Sequence, residues 1–242
     1  MELVVNKELY QLYASSYFDK VMPELSVYLD KGIIEVCKFF ELEHINKLKI
    51  YLYDNAAEYQ RLFKAPYPPN GIAGCFGYEN VKVYADLNKI DKYKLFTCIL
   101  HELTHVIYRN YIQEEGINNR IVWFDEGLAS LLSGEKNTLL DNDRLKEFIE
   151  NKISGENKEI PKISYLHKHG TNYGEFVDAK TNKYNGYDWS YLMIRYLIET
   201  LSKKELNKLM RSKQSILDIE GTITNDTYNY FTKKVKQSRR VL

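Results

Sequence analysis

Residues 91–111 repeat apolar side chains at helical steps, with Leu95, Ile99, Val106 and Ile107 on one face. Yet His101, Glu102 and His105 are set among them. The run His101-Glu102-Leu103-Thr104-His105 spaces two imidazoles at i and i+4, which puts both on one side of a helix about one turn apart. Such a helix can supply two metal ligands from a single rigid element. Glu102, on the adjoining face, can then reach a metal-bound water without occupying a coordination position. A chain built this way must bring a third ligand to the helix from elsewhere. The competing reading is a pair of satisfied core histidines; with only five His in the chain, a chance match to this pattern is expected well below once.

The third ligand is expected in Trp123-Phe124-Asp125-Glu126-Gly127-Leu128-Ala129, where an acidic pair opens a helix shortly after the first one ends. With this segment the sequence resembles the gluzincins, the peptidase group of thermolysin and the aminopeptidase N-like enzymes, whose pattern is H-E-x-x-H followed by W-x-x-E-G-x-A. The resemblance covers roughly residues 72–201 and implies a zincin-like, thermolysin-like α+β fold: an N-terminal mixed sheet with the metal helix, and a mainly α-helical C-terminal lobe. It puts Glu126 in the place of the metal-binding glutamate. The 20 residues between His105 and Glu126 leave room to end one helix, turn and begin another. Asp125 is expected only to favour a helix N-terminus through the helix dipole.

The resemblance also implies one zinc ion per chain, held by His101, His105 and Glu126, and hydrolysis of a peptide bond with Glu102 as general base. Ser130, one turn beyond Glu126, faces the same way and can place a hydrogen bond behind the ligands, where thermolysin-like enzymes carry a carboxylate. The donor to the oxyanion in aminopeptidase-like members is a tyrosine opening a later helix. Tyr187, in Tyr187-Asp188-Trp189-Ser190-Tyr191, takes that place, although the family usually has Lys-Gly where this chain has Trp189-Ser190. Tyr184 and Tyr191 are its nearest rivals. The edge strand walling the cleft in such enzymes corresponds to residues 72–76, so Gly74 and Cys75 are expected to meet the substrate backbone.

The rest of the chain orders itself around these motifs. Residues 23–40 carry Leu25, Tyr28, Leu29, Ile33, Ile34, Cys37 and Phe40 at three- and four-residue steps, with Pro23 suited to a first helical turn. Residues 47–53 alternate as a strand, and Asp54 can cap a helix running through Phe63. Three prolines make residues 65–71 a loop. Residues 72–76 and 81–87 flank Gly77-Tyr78-Glu79-Asn80 as a hairpin. That turn is similar to the G-x-M-E-N exopeptidase motif but one residue short, so it is read as the hairpin turn. Further helices are expected at 125–133, 142–152, 187–201, 203–212 and 224–236, with 155–186 as the longest irregular stretch. His167 and His169 within it are read as exposed polar residues, and the basic run 233–240 as a solvated helix face and tail.

Composition narrows the partners. A formal net charge of +1 calls for no nucleic acid or anionic membrane and by itself names no ligand; the peptide or protein substrate is what the resemblance implies. No stretch approaches the roughly 18 apolar residues that span a bilayer. The odd, scattered set Cys37, Cys75 and Cys98 lacks C-x-x-C spacing and fits a reducing compartment. Residues 1–20 lack the about 7 to 15 consecutive apolar residues of a signal peptide. The expectation is a cytoplasmic protein, with secretion as the alternative for a chain whose leader has been removed. A single metallopeptidase domain over 1–242 is expected, with an α/β lobe 1–115 and a helical lobe 116–242; nothing sets its oligomeric state. The rival functions are a non-peptidase metallohydrolase and a zinc-binding interaction module without turnover.

Overall fold

Alternation of buried and more exposed residues marks strands at Tyr10–Ala14 and Leu48–Tyr53, between and around helices in the first half of the chain. The computed structural model describes residues 1–64, 70–113, 120–153, 160–167 and 185–238, and it divides into two compact units, Met1–Ile112 and Gln113–Leu242. The architecture is α+β, as expected.

In the first unit, strands β1 (Glu2–Asn6), β2 (Tyr10–Ala14), β3 (Leu48–Tyr53), β4 (Ile72–Phe76) and β5 (Asn80–Ala85) form one mixed sheet in the order β1-β2-β3-β5-β4. β1 with β2 and β4 with β5 run antiparallel, whereas β2 with β3 and β3 with β5 run parallel. Leu12 of β2, Leu48, Ile50 and Leu52 of β3, and Val81 and Val83 of β5 are buried at alternate positions, which fixes the register by the face each strand must hide. Helix α1 (Met22–Phe39) turns Leu25, Leu29, Ile33 and Val36 inward, whereas Ile34, expected on the apolar face, is exposed. Full burial of each such side chain stabilises by roughly 1.5–3 kcal/mol. Gly32 lets α1 come close to the metal-motif helix α3 (Lys92–Ile107), since a Cβ there would sit 2.6 Å from Leu100 Cδ2. α3 also packs on β4 and β5.

Several expectations shift at element ends. The helix after β3, α2 (Ala56–Phe63), is capped by Asn55 and not by Asp54: Asn55 Oδ1 accepts from the Glu58 amide at 3.0 Å, while Asp54 accepts from the Ser15 hydroxyl. α3 gives way after Ile107 to a π-helical turn, Tyr108–Ile112. The hairpin β1–β2 was not anticipated. The Gly77–Asn80 turn is closed by the Gly77 amide donating to the Asn80 carbonyl at 2.7 Å.

The second unit is helical: α4 (Val122–Leu132), α5 (Asn142–Ile153), α6 (Ile163–His167), α7 (Gly186–Thr200), α8 (Lys203–Arg211), α9 (Lys213–Ile219) and α10 (Ile223–Ser238). α4 starts three residues earlier than expected, and α6 and α9 were not anticipated. Leu145, Ile149, Tyr191, Leu192, Phe231 and Val235 join α5, α7 and α10 in one apolar cluster. α4 packs along α7. At Gly127 the two helices meet backbone to side: a Cβ would lie 2.4 Å from the Ser190 carbonyl oxygen and 2.5 Å from Ile194 Cγ1. Among the described residues, no helix is long and apolar enough to cross a membrane. His169 and Tyr184 lie outside the described residues, as does the side chain of His167.

Candidate functional site

The first unit supplies the histidine pair. Asp91 starts α3 by accepting the Tyr93 amide on its side chain at 2.7 Å, satisfying one of the unpaired donors of the first turn. Three turns on, His101 and His105 are buried, and their Nε2 atoms face each other at 3.1 Å with the rings nearly perpendicular, at 82°. Two zinc–nitrogen bonds of about 2.0–2.1 Å meeting at a tetrahedral angle put their nitrogens about 3.3 Å apart, so this pair is spaced as two ligands of one ion. Phe76, at the end of β4, packs on the His105 ring with centroids 4.8 Å apart. The guanidinium of Arg109 lies over Phe76 at 4.1 Å, so the aromatic ring contacts both an imidazole and a cation.

Glu102 lies against β4. A Cβ on Gly74 would sit 2.5 Å from Glu102 Oε1 and 2.7 Å from its Cγ, so the carboxylate occupies the space that glycine leaves open on the edge strand. Next to it, the Cys75 thiol is hydrogen-bonded with Tyr59. Burial pushes the Cys75 thiol up, and the Glu102 carboxylate pushes it the same way, against the opposing pull of Tyr59 and Lys82. Cys75 therefore stays protonated near neutral pH, a poor nucleophile and a poor metal ligand. Burial likewise raises Tyr59 well above the usual tyrosine range, with the Cys75 hydrogen bond adding to it.

The second unit carries Glu126. It is buried in the first turns of α4 beside buried Asp125. Asp125 does more than face the helix dipole: Arg120 Nε donates to Asp125 Oδ2 at 2.7 Å, and an Arg120 Nη atom donates to Glu126 Oε1. Burial disfavours the Arg120 charge, but the two carboxylates outweigh it and raise its pKa above the ordinary arginine value. Sequence reading passed over Arg120, because one basic residue ahead of a helix carries no pattern. Ser130, also buried, donates its hydroxyl to Glu135 Oε1 at 2.7 Å. Tyr187 is half-buried in the first turn of α7, where Asn185 Oδ1 accepts its amide at 2.9 Å. Tyr191, one turn on, is buried in the helical core.

His101, His105 and Glu126 are thus all buried, and two imidazoles with one carboxylate are a donor set that could hold a metal ion. No family model matches the sequence, and no curated protein matches it. Among solved structures, an aminopeptidase N family protein from Idiomarina loihiensis matches at 15% identity and a TM-score of 0.48, covering 91% of this chain and 41% of its own. This chain spans about two-fifths of that protein's length. At that identity and score the likeness decides neither fold nor chemistry, and the residues themselves must.

Proposed function

We propose that this chain is a zinc-dependent metallopeptidase of the gluzincin type, with a thermolysin-like catalytic fold formed by a single domain over residues 1–242. The observation that carries the reading is the His101–His105 pair: two buried Nε2 atoms 3.1 Å apart on one helix face, with Glu102 between them in sequence. His101, His105 and Glu126 would hold the ion, and the neutral imidazoles and single carboxylate fit zinc better than the all-oxygen sites of calcium or magnesium. When bound, zinc supplies Lewis acidity to a water and to the substrate carbonyl.

The chain's own residues do the rest. Glu102 takes a proton from the attacking water as its oxygen bonds to the peptide carbon, and passes that proton to the departing amine as the C–N bond breaks. Tyr187 donates its hydroxyl hydrogen to the oxygen on which negative charge develops. β4, at the edge of the five-stranded sheet, offers its backbone to an extended peptide at Gly74 and Cys75. Ser130 steadies the start of the following loop through Glu135. The substrate is a peptide or protein. The direct test is elemental analysis of protein purified without added metal, together with turnover of a diverse peptide library by wild type and Glu102→Gln. About one zinc per chain and hydrolysis lost in the variant support the reading. Zinc below about a tenth of an equivalent, with none taken up on titration, overturns it.

A further inference from the structure

Arg120 lies just ahead of α4 in the chain. Its guanidinium donates from Nε to Asp125 and from Nη to Glu126, and both carboxylates are buried in the opening turns of α4. A guanidinium is a planar fork that can serve two acceptors at once. Here the two acceptors belong to different groups: one to a carboxylate with no ligand role, the other to the proposed metal ligand. A buried carboxylate needs a cation, and Arg120 is one that the chain always carries.

Resting on the metallopeptidase reading, we propose that Arg120 is a built-in competitor for the metal, holding Glu126 as a stand-in cation in the metal-free protein and handing it over when the ion binds. Asp125 is the other half of the device. It retains the guanidinium when Glu126 changes partner, so that the charge keeps a carboxylate beside an incoming divalent ion. The arrangement lets the protein fold with its ligand carboxylate neutralised before metal arrives, at the cost of weaker metal affinity. It predicts opposite effects from removing its two parts. Loss of Arg120 frees Glu126 for the ion and removes a like charge next to it; loss of the Asp125 charge removes the carboxylate that shares Arg120 with Glu126.

The experiment is a competition of full-length wild type, Arg120→Gln and Asp125→Asn against a zinc chelator of known affinity. Thermal melting in excess chelator and in excess zinc accompanies it. Arg120→Gln should bind zinc about tenfold more tightly or better, melt lower than wild type without metal, and gain more on adding zinc. Asp125→Asn should bind zinc more weakly than wild type. A residue with a merely structural role would weaken binding in both variants, so parallel losses overturn the proposal, as does unchanged affinity in Arg120→Gln. Should Arg120→Gln not fold, Arg120→Lys keeps a charge but not the fork; its affinity must then exceed that of wild type, and equal or weaker binding overturns the proposal. A wild type that binds no zinc brings down the metallopeptidase reading itself, whereas a zinc-binding wild type with the wrong ranking of variants brings down only the role of Arg120.

Discussion

Glu102 rests on Gly74 so closely that a methyl group on the glycine would lie 2.5 Å from its carboxylate oxygen. The general base of the proposed reaction is thereby positioned by the absence of a side chain on a neighbouring strand. Gly74→Ala should push the Glu102 carboxylate aside and lower kcat by roughly ten- to a hundredfold, the cost of misplacing a catalytic group by about 1 Å. Zinc content should be unchanged. Steady-state kinetics with elemental analysis checks both parts, and full activity in Gly74→Ala would mean that Glu102 is free to find its place without the strand.

Glu126→Ala and Glu102→Gln should separate. Removing a ligand should weaken zinc by more than about a hundredfold, since loss of even an outer partner of a ligand costs 10- to 100-fold. Glu102→Gln should keep the metal and lose hydrolysis. Isothermal titration of both variants decides: equal loss of zinc in two folded variants would assign Glu102 to the metal and withdraw it from proton transfer.

Tyr187→Phe removes a single hydroxyl proposed to act on the tetrahedral intermediate, so kcat should fall by roughly 10²-fold with KM little changed. Melting temperature should stay near wild type because Tyr187 is only half-buried. At Tyr191, buried in the cluster with Leu145 and Phe231, the same substitution should act through stability instead. An unimpaired Tyr187→Phe enzyme would move the oxyanion role elsewhere, first to Tyr184.

Glu199 gives the second unit a dependence on acid. Burial would raise its pKa, but hydrogen bonds from Lys234 at 2.8 Å and Tyr230 at 2.7 Å, with the Arg195 charge, outweigh burial and hold it below its usual 4.5. A carboxyl depressed on folding contributes stability that is present above its unfolded value and is lost as pH falls through its folded one. Denaturant midpoints should therefore drop as pH is lowered below about 4.5. Glu199→Gln should flatten that part of the profile while lowering stability at pH 7; an unchanged acid limb would place its source elsewhere.

The metal-motif helix was legible because four-residue spacing is a property of the sequence itself, and burial of His101 and His105 follows from the apolar residues on either side. β3 and the β4–β5 hairpin were legible from alternation and a turn. β1 was not: Leu3 and Val4 are exposed, so the strand is held by backbone bonds to β2 and leaves no hydropathy signal. The cap at Asn55 was missed for the neighbouring Asp54, since both residues cap well and only backbone angles choose between them. Arg120 escaped notice for a different reason. Its importance lies in reaching two carboxylates at once, a fact of geometry with no counterpart in spacing.

The meeting of α4 and α7 at Gly127 has a genetic consequence. The nearest atom to a new Cβ is a main-chain oxygen, that of Ser190, at 2.4 Å, and no exchange of side chain can remove it. Shrinking Ile194 would relieve only the second contact. A search for suppressors of Gly127→Ala should then return true revertants, or changes that shift a whole helix, and no compensating substitution at position 190. Since Glu126 and Tyr187 ride on these same two helices, a helix-shifting suppressor would restore folding while carrying the proposed ligand and the proposed oxyanion donor away from each other.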